Sequence, residues 1–258
     1  AAAHRENPGS LVVGEIANYP KEWFPAVDGI MHFTMKNILL GLMNGDIDAQ
    51  HARRMIERMY RDSDFEHMLM SWIYLDNHDT PRLAHMVNDP QRRSLAQLLQ
   101  FTLPGSPNLY YGTELGMTGG DDPEMRAPMR WDWVNDQNVS LTWTKQLIQL
   151  RRNHRALRVG DFRSVETNAL FGFERFTDRV EDTVIVLTNP TNVEVTETVL
   201  IANSKLMNTF ECVDVIDPNF RVPIYTSMVT VTLQPGAFRV LVPDVTSRGG
   251  YNSYKRVK

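Results

Sequence analysis

Four short apolar runs set between longer helical stretches govern what residues 1–158 can become. Leu11 to Gly14, Gly29 to Phe33, Trp72 to Leu75 and Asn108 to Tyr111 are too brief to be helices. Between them, Ala49 to Tyr60 places Ala52, Met55, Ile56 and Met59 at helical spacing. Arg92 to Leu103 reads as a helix stopped by Pro104-Gly105, and Leu141 to Asn153 as one with Leu147, Ile148 and Leu150 on a single side. Short buried strands alternating with helices are the pattern of a parallel sheet with crossover helices.

The third run ends in Asp76-Asn77-His78-Asp79-Thr80-Pro81-Arg82, a cluster of acid, amide, imidazole and guanidinium groups. The carboxyl end of a buried parallel strand is where a β/α barrel keeps its chemistry. Upstream, Leu11-Val12-Val13 leads through Gly14 into Glu15. Two carboxylates at two strand ends suit acid/base work on a polar substrate.

After Arg158 helical periodicity disappears. Val184 to Leu187, Val195 to Ile201 and Val229 to Leu233 are β-branched and separated by Asn189-Pro190, Asp217-Pro218-Asn219 and Gln234-Pro235-Gly236 turns. The expected division is 1–158 as a parallel α/β unit, 159–246 as an antiparallel β-sandwich domain and 247–258 as a loose tail. Four strands cannot close a barrel, which needs about eight. The first unit therefore reads as half a barrel or four strands of an open sheet, with bare edges prone to association.

A formal net charge of −4 gives no electrostatic reason to expect nucleic acid or anionic membrane as a partner. No apolar run approaches the roughly 20 residues of a membrane span. Cys212 is the single cysteine, which excludes an internal disulfide and a Cys-based zinc site. Ala1 to Pro8 carries no targeting pattern and reads as the last turns of a helix stopped by Asn7-Pro8-Gly9. The compartment is left open.

These motifs resemble the α-amylase superfamily, glycoside hydrolase family 13. Leu11 to Ile16 is similar to its fifth-strand motif, Tyr74 to Asp79 to its seventh, and Leu109 to Gly116 to its eighth strand and following turn. Asp122 to Arg126 and Pro128 to Trp131 resemble the next loop in cyclomaltodextrinases, neopullulanases and related α-glucosidases. The resemblance implies strands five to eight of a (β/α)8 TIM barrel followed by a C-terminal antiparallel β-sandwich. It makes Glu15 the general acid/base and Asp79 the group that holds sugar hydroxyls and stabilises the transition state. His78 would donate to the same ring, and Asp122 and Arg126 would grip a neighbouring glucose. Trp131 sits where its indole could stack on a sugar. No cofactor and no metal is implied.

The family's fourth-strand motif, with its nucleophilic Asp, has no counterpart in the sequence. The resemblance implies that it lies upstream of Ala1, so the expected partners are an α-glucan oligosaccharide and either a missing N-terminal half or a self-associating copy. A retaining glycosidase needs a nucleophile about 5–5.5 Å from the acid/base, so this chain alone is expected to be inactive or nearly so.

Plainer readings stand beside these. His32 is expected to be a core or rim histidine, Arg82 a structural partner for the loop acids, and Arg151 to Arg155 a solvated helix end. Asp76, His78 and Asp79 do not all share a strand face, which argues against a metal cluster. Trp133 could stack on sugar or pack the β-domain onto the barrel. Two alternatives to a retaining hydrolase remain: a non-catalytic carbohydrate-binding half-barrel, or an inverting enzyme using Glu15 and Asp79 about 6.5–9.5 Å apart.

Overall fold

The computed structural model describes residues 2–245, so the expected tail at 247–258 lies outside it. A short helix, α1 (Ala2–Glu6), precedes β1 (Val13–Ile16) and β2 (Gly29–His32). There follow α2 (Phe33–Asn44), α3 (Ala49–Asp62), α4 (Phe65–Met70) and β3 (Trp72–Ile73). Next come α5 (Leu83–Met86), α6 (Pro90–Thr102), β4 (Ser106–Pro107), α7 (Val139–Asn153) and α8 (Arg155–Val159). The four strands form one parallel sheet in the order β1-β2-β3-β4. Glu15 stands opposite Met31, Met31 opposite Trp72, and Trp72 opposite Ser106. Their carboxyl ends thus share one edge of the sheet. Among the described residues, β1 and β4 each pair on one side only.

The amphipathic pattern of α3 buries Ala49, Ala52, Ile56 and Met59, and Asp48 caps it by accepting from the His51 amide at 2.7 Å. Helix α2 was not legible as one. Ile38, Leu39, Leu40, Leu42 and Met43 are all buried, so no polar stripe marks its outer face. Gly45 ends it in the left-handed region at φ 81°.

The fourth strand is shorter and earlier than the apolar run Asn108 to Tyr111. The Asn108 amide still donates to the Ile73 carbonyl at 2.8 Å, and the Gln100 side chain donates to the carbonyls of Ile73 at 3.0 Å and Asn108 at 2.8 Å. The first strand is displaced too, beginning at Val13 and not Leu11, which puts Glu15 inside the strand.

The remaining chain is antiparallel. It comprises β5 (Asp161–Val165), β6 (Phe171–Phe176), β7 (Val184–Thr188), β8 (Val195–Leu200), β9 (Glu211–Asp214), β10 (Arg221–Pro223), β11 (Met228–Leu233) and β12 (Phe238–Pro243). Six strands form one sheet in the order β10-β9-β12-β7-β6-β5, while β8 and β11 form a separate ribbon. The ribbon's Val199, Val229, Val231 and Leu233 pack with Ile185, Leu187, Leu241 and Cys212 of the sheet. Its other face is polar, with Thr196 and Thr198 hydrogen-bonded to Thr232 and Thr230 at 2.8 Å. This is the alternation of a half-buried antiparallel pair.

The opposite face of the six-stranded sheet joins the helices. Phe171, Phe173, Val184, Val186 and Val240 belong to the same apolar cluster as Leu39, Ile56, Leu99 and Leu147. Trp143 of α7 donates to the Ser94 carbonyl at 3.1 Å and lies 5.5 Å from the Phe238 ring. Arg175 of β6 is wholly buried and donates to the carbonyls of Thr102 at 2.8 Å, Gly160 at 2.8 Å and Asp161 at 3.2 Å. Burial pulls its pKa down to about 9.

Arg151 departs from the expected solvated helix end. Its guanidinium donates to the carbonyls of Phe101 at 2.9 Å and Gly105 at 2.5 Å, satisfying the frayed end of α6. Burial lowers its pKa to about 10. Arg152 and Arg155 are exposed. Among the described residues, no helix is long and apolar enough to cross a membrane.

Candidate active site

Glu15 is the third residue of β1 and its side chain is exposed. Among the described residues it makes no hydrogen bond and no ion pair. Its charge nevertheless acts on Tyr74, the residue directly after β3. Burial raises the Tyr74 phenol pKa, and the Glu15 carboxylate raises it further. The Tyr74 hydroxyl itself is buried and unpartnered.

The rest of the site is built on the segment after β3 and the loop after β4. Two local turns shape the first: the Asn77 amide donates to the Thr80 hydroxyl at 3.1 Å, and the Asp79 amide to Asn77 Oδ1 at 3.0 Å. These turns push His78 and Asp79 outward. Asp79 Oδ1 accepts from Arg126 Nη2 at 2.9 Å, and His78 Nε2 lies 3.3 Å from Asp79 Oδ2. Arg126 Nε donates to the His78 carbonyl at 2.9 Å and stands 3.5 Å from Asp122 Oδ1. His78, Asp79, Asp122 and Arg126 therefore form one exposed rim, with the Asp79 side chain 52% accessible.

Below the rim lies a buried floor. Asp76 accepts from the Leu83 amide and the Thr113 hydroxyl, both at 2.8 Å. Desolvation raises its pKa, opposed by those bonds and by the charges of Arg82 and Lys36. Arg82 donates to the Tyr111 carbonyl and lies against both Tyr110 and Tyr111, 4.3 and 4.6 Å from their ring centres. Its partners are thus a carbonyl and two rings, with Asp76 acting only through charge and no rim acid bound. Gly112, at φ 84°, makes room for this stack, since a Cβ there would meet Met117 Sδ at 2.4 Å and Arg82 Nη1 at 3.2 Å.

His32 caps α2 through Nδ1, which accepts from the Met35 amide at 3.4 Å. Burial pulls its pKa down to about 4, so it is neutral and structural. Lys36, inside the helix the sequence did not reveal, has its ammonium 5.9 Å from the Tyr74 ring centre. Neither Lys36 nor the Tyr74 hydroxyl was singled out from sequence, because a lysine in an apolar run and a tyrosine in a strand carry no catalytic signature.

Trp131 stands apart. It is 74% accessible, on a 3-10 turn (Trp131–Trp133), and makes no ring or side-chain polar contact with the rim. The neighbouring Trp133 ring lies under the Arg130 guanidinium at 4.5 Å, which Asp132 fixes at 2.9 and 2.6 Å.

A short parallel sheet with its polar groups gathered beyond the strand ends defines the class of architecture, and sequence comparison supplies the family. The alpha amylase catalytic-domain profile matches residues 2–178, more than half of the chain, and the protein belongs to that family. It is similar to a cyclomaltodextrinase of a Bacillus species, 31% identical over 190 residues, 71% of this chain and 34% of that enzyme. It is also similar to neopullulanase 2 of Thermoactinomyces vulgaris, 30% identical over 183 residues, 68% of this chain and 31% of that protein. The chain thus spans about a third of the length of these curated relatives. A cyclomaltodextrinase of known structure superimposes with a TM-score of 0.80 at 24% identity, over 93% of this chain and 41% of its own, a likeness of fold.

Proposed function

We propose that this chain supplies the proton-transfer and sugar-holding side of a retaining α-glucan hydrolase site. The substrates would be maltodextrins, cyclodextrins or related α-glucans. Glu15 protonates the glycosidic oxygen and then deprotonates the attacking water. Asp79 holds hydroxyls of the scissile sugar and faces the positive charge that develops on its ring. His78 donates to that ring, Asp122 and Arg126 hold the neighbouring glucose, and Trp131 offers a flat face to a more distant one. The observation that carries this reading is the arrangement of the acids. Asp79 is fixed by Arg126 and His78 beyond β3, while Glu15 stands free on β1 of the same parallel sheet.

On this reading residues 1–158 are strands five to eight of a (β/α)8 barrel, and 159–246 a β-sandwich domain. The nucleophilic Asp comes from a separate stretch of polypeptide that completes the barrel. Loss of a covalent nucleophile forfeits several orders of magnitude in rate. The test is release of reducing ends from maltotriose, with the chain alone and with an N-terminal half-barrel of a related enzyme added. Negligible turnover alone and recovery on mixing are expected, with Glu15→Gln abolishing the recovered activity. Turnover by the chain alone would refute the divided site, and formation of a product of inverted configuration would refute retention.

The single-sided pairing of β1 and β4 favours one other reading, a carbohydrate-binding half-barrel that associates with a second copy. Solution mass and maltooligosaccharide affinity separate the two. A monomer that binds no sugar eliminates this second reading.

A further inference from the structure

Behind the floor, where the start of α6, the turn after β4 and the start of α7 meet, lies a recess of about 120 Å³. Arg93, Gln97, Gly116 and Ser140 are among its lining residues, and no carboxylate is. We propose that this recess binds a small inorganic anion of halide or phosphate size, held by Gln97, Arg93, Ser140 and the opening amides of α7. The inference goes beyond the glycosidase reading and does not depend on it.

Four observations converge. Gln97 is only 4% accessible, and among the described residues its carboxamide has no hydrogen-bond partner. The residue lines the recess, where its polar atoms keep contact with solvent and are open to a ligand. Arg93 donates from Nη1 to the carbonyls of Val87 at 3.0 Å and Asn88 at 2.7 Å. Its Nε and Nη2 make no hydrogen bond among the described residues, and no acid pairs with it.

The helix α7 is 15 residues long, and its N-terminus opens here. Asn138 takes up the Leu141 amide at 3.0 Å, and the Thr142 amide bonds to the Asn138 carbonyl at 3.0 Å. The amides of Val139 and Ser140 are left at the positive end of the helix dipole. Finally, Gly116 lies at φ +76°, and a Cβ there would stand 2.9 Å from Ser140 Oγ. The glycine keeps that hydroxyl free at the wall.

Arg93, the Ser140 hydroxyl, the Gln97 carboxamide N–H groups and the α7 amides can donate to the space, whereas the lining hydroxyls of Ser94 and Thr113 already donate to the Pro90 carbonyl and to Asp76. Asp76 is engaged by Leu83 and Thr113, and Asp89 by the Gln91 and Arg92 amides. The volume equals roughly four times the ~30 Å³ share of a water molecule. It admits a halide with a water, or one phosphate.

The test follows thermal unfolding of the 258-residue chain in gluconate buffer, replaced stepwise at constant ionic strength by chloride or by phosphate. A ligand that binds only the native state raises the melting temperature with its concentration. Such a rise is expected in at least one arm, and the responding arm identifies the anion. Arg93→Gln should weaken the affinity about 10- to 100-fold, the loss expected for charge-assisted hydrogen bonds. Arg152→Gln, on the exposed end of α7, should leave it unchanged. Identical melting curves in gluconate, chloride and phosphate would overturn the proposal, as would an Arg93→Gln chain that responds like the parent. Should Arg93→Gln fail to fold, the same two criteria apply to Gln97→Met, which removes the carboxamide at nearly constant volume.

Discussion

Asp76 and Asp79 stand three residues apart on one strand end and meet opposite fates. The oxygens of Asp76 are occupied by an amide and a hydroxyl inside the protein, and the residue is 2% accessible. Asp79 keeps one arginine and one histidine beside it, with half of its side chain open to solvent. Asp76 is satisfied and fixed, whereas the rim retains hydrogen-bonding capacity for something arriving from outside. In this segment burial is what separates a structural acid from a candidate catalytic one, and residue type alone does not.

That contrast can be broken most directly at the floor. Asp76→Ala should destabilise the chain by about 3–5 kcal/mol, because the Leu83 amide and the Thr113 hydroxyl would each lose a charged acceptor in a buried setting. Urea unfolding measures it, and a loss below about 1 kcal/mol would erase the distinction between floor and rim.

A second test uses pH. His32 titrates near 6.5 when unfolded and at about 4 when folded, so the unfolded chain takes up its proton first as pH falls. Stability should therefore be intact above pH 6.5 and decline by roughly 3 kcal/mol between there and pH 4. Asp76 has the opposite sign: its raised folded pKa contributes stability at low pH that is lost as pH rises through that folded value. His32→Asn preserves an N-cap acceptor and should flatten the decline between 6.5 and 4. An unchanged acid profile in that variant would show that His32 does not set the decline.

At the rim the expected effect is smallest. A double-mutant cycle of Asp79→Asn and Arg126→Gln should return a coupling of about 0.5 kcal/mol, as for exposed ion pairs generally. A coupling above about 2 kcal/mol would mean that Asp79 is as structural as Asp76.

The same contrast explains what could be read in the sequence. Strands β2 and β3 began where their apolar runs began, since a buried parallel strand is marked by its composition alone. The rim residues were legible because His78, Asp79, Asp122 and Arg126 crowd into two short motifs. The helix α2 was hidden by its own burial: Leu39, Leu42 and Met43 left no outer face to reveal a period. The end of β4 was hidden because the Gln100 side chain, seven residues before Pro107, takes up the carbonyls of Ile73 and Asn108 there. Arg151 misled for a related reason. A cation at a helix end normally faces water, but this one turns in to the carbonyls of Phe101 and Gly105. Long-range partners of that kind leave no mark in local composition.

Arg175 carries the same lesson into protein engineering. One guanidinium is bolted to the last turn of α6 and to the junction around Gly160 and Asp161. Anyone excising the antiparallel layers for transplantation at residue 159 would strand a cation whose seat lies partly on the discarded side. Such a graft should be sticky and poorly behaved until that arginine is replaced by a neutral side chain of similar bulk.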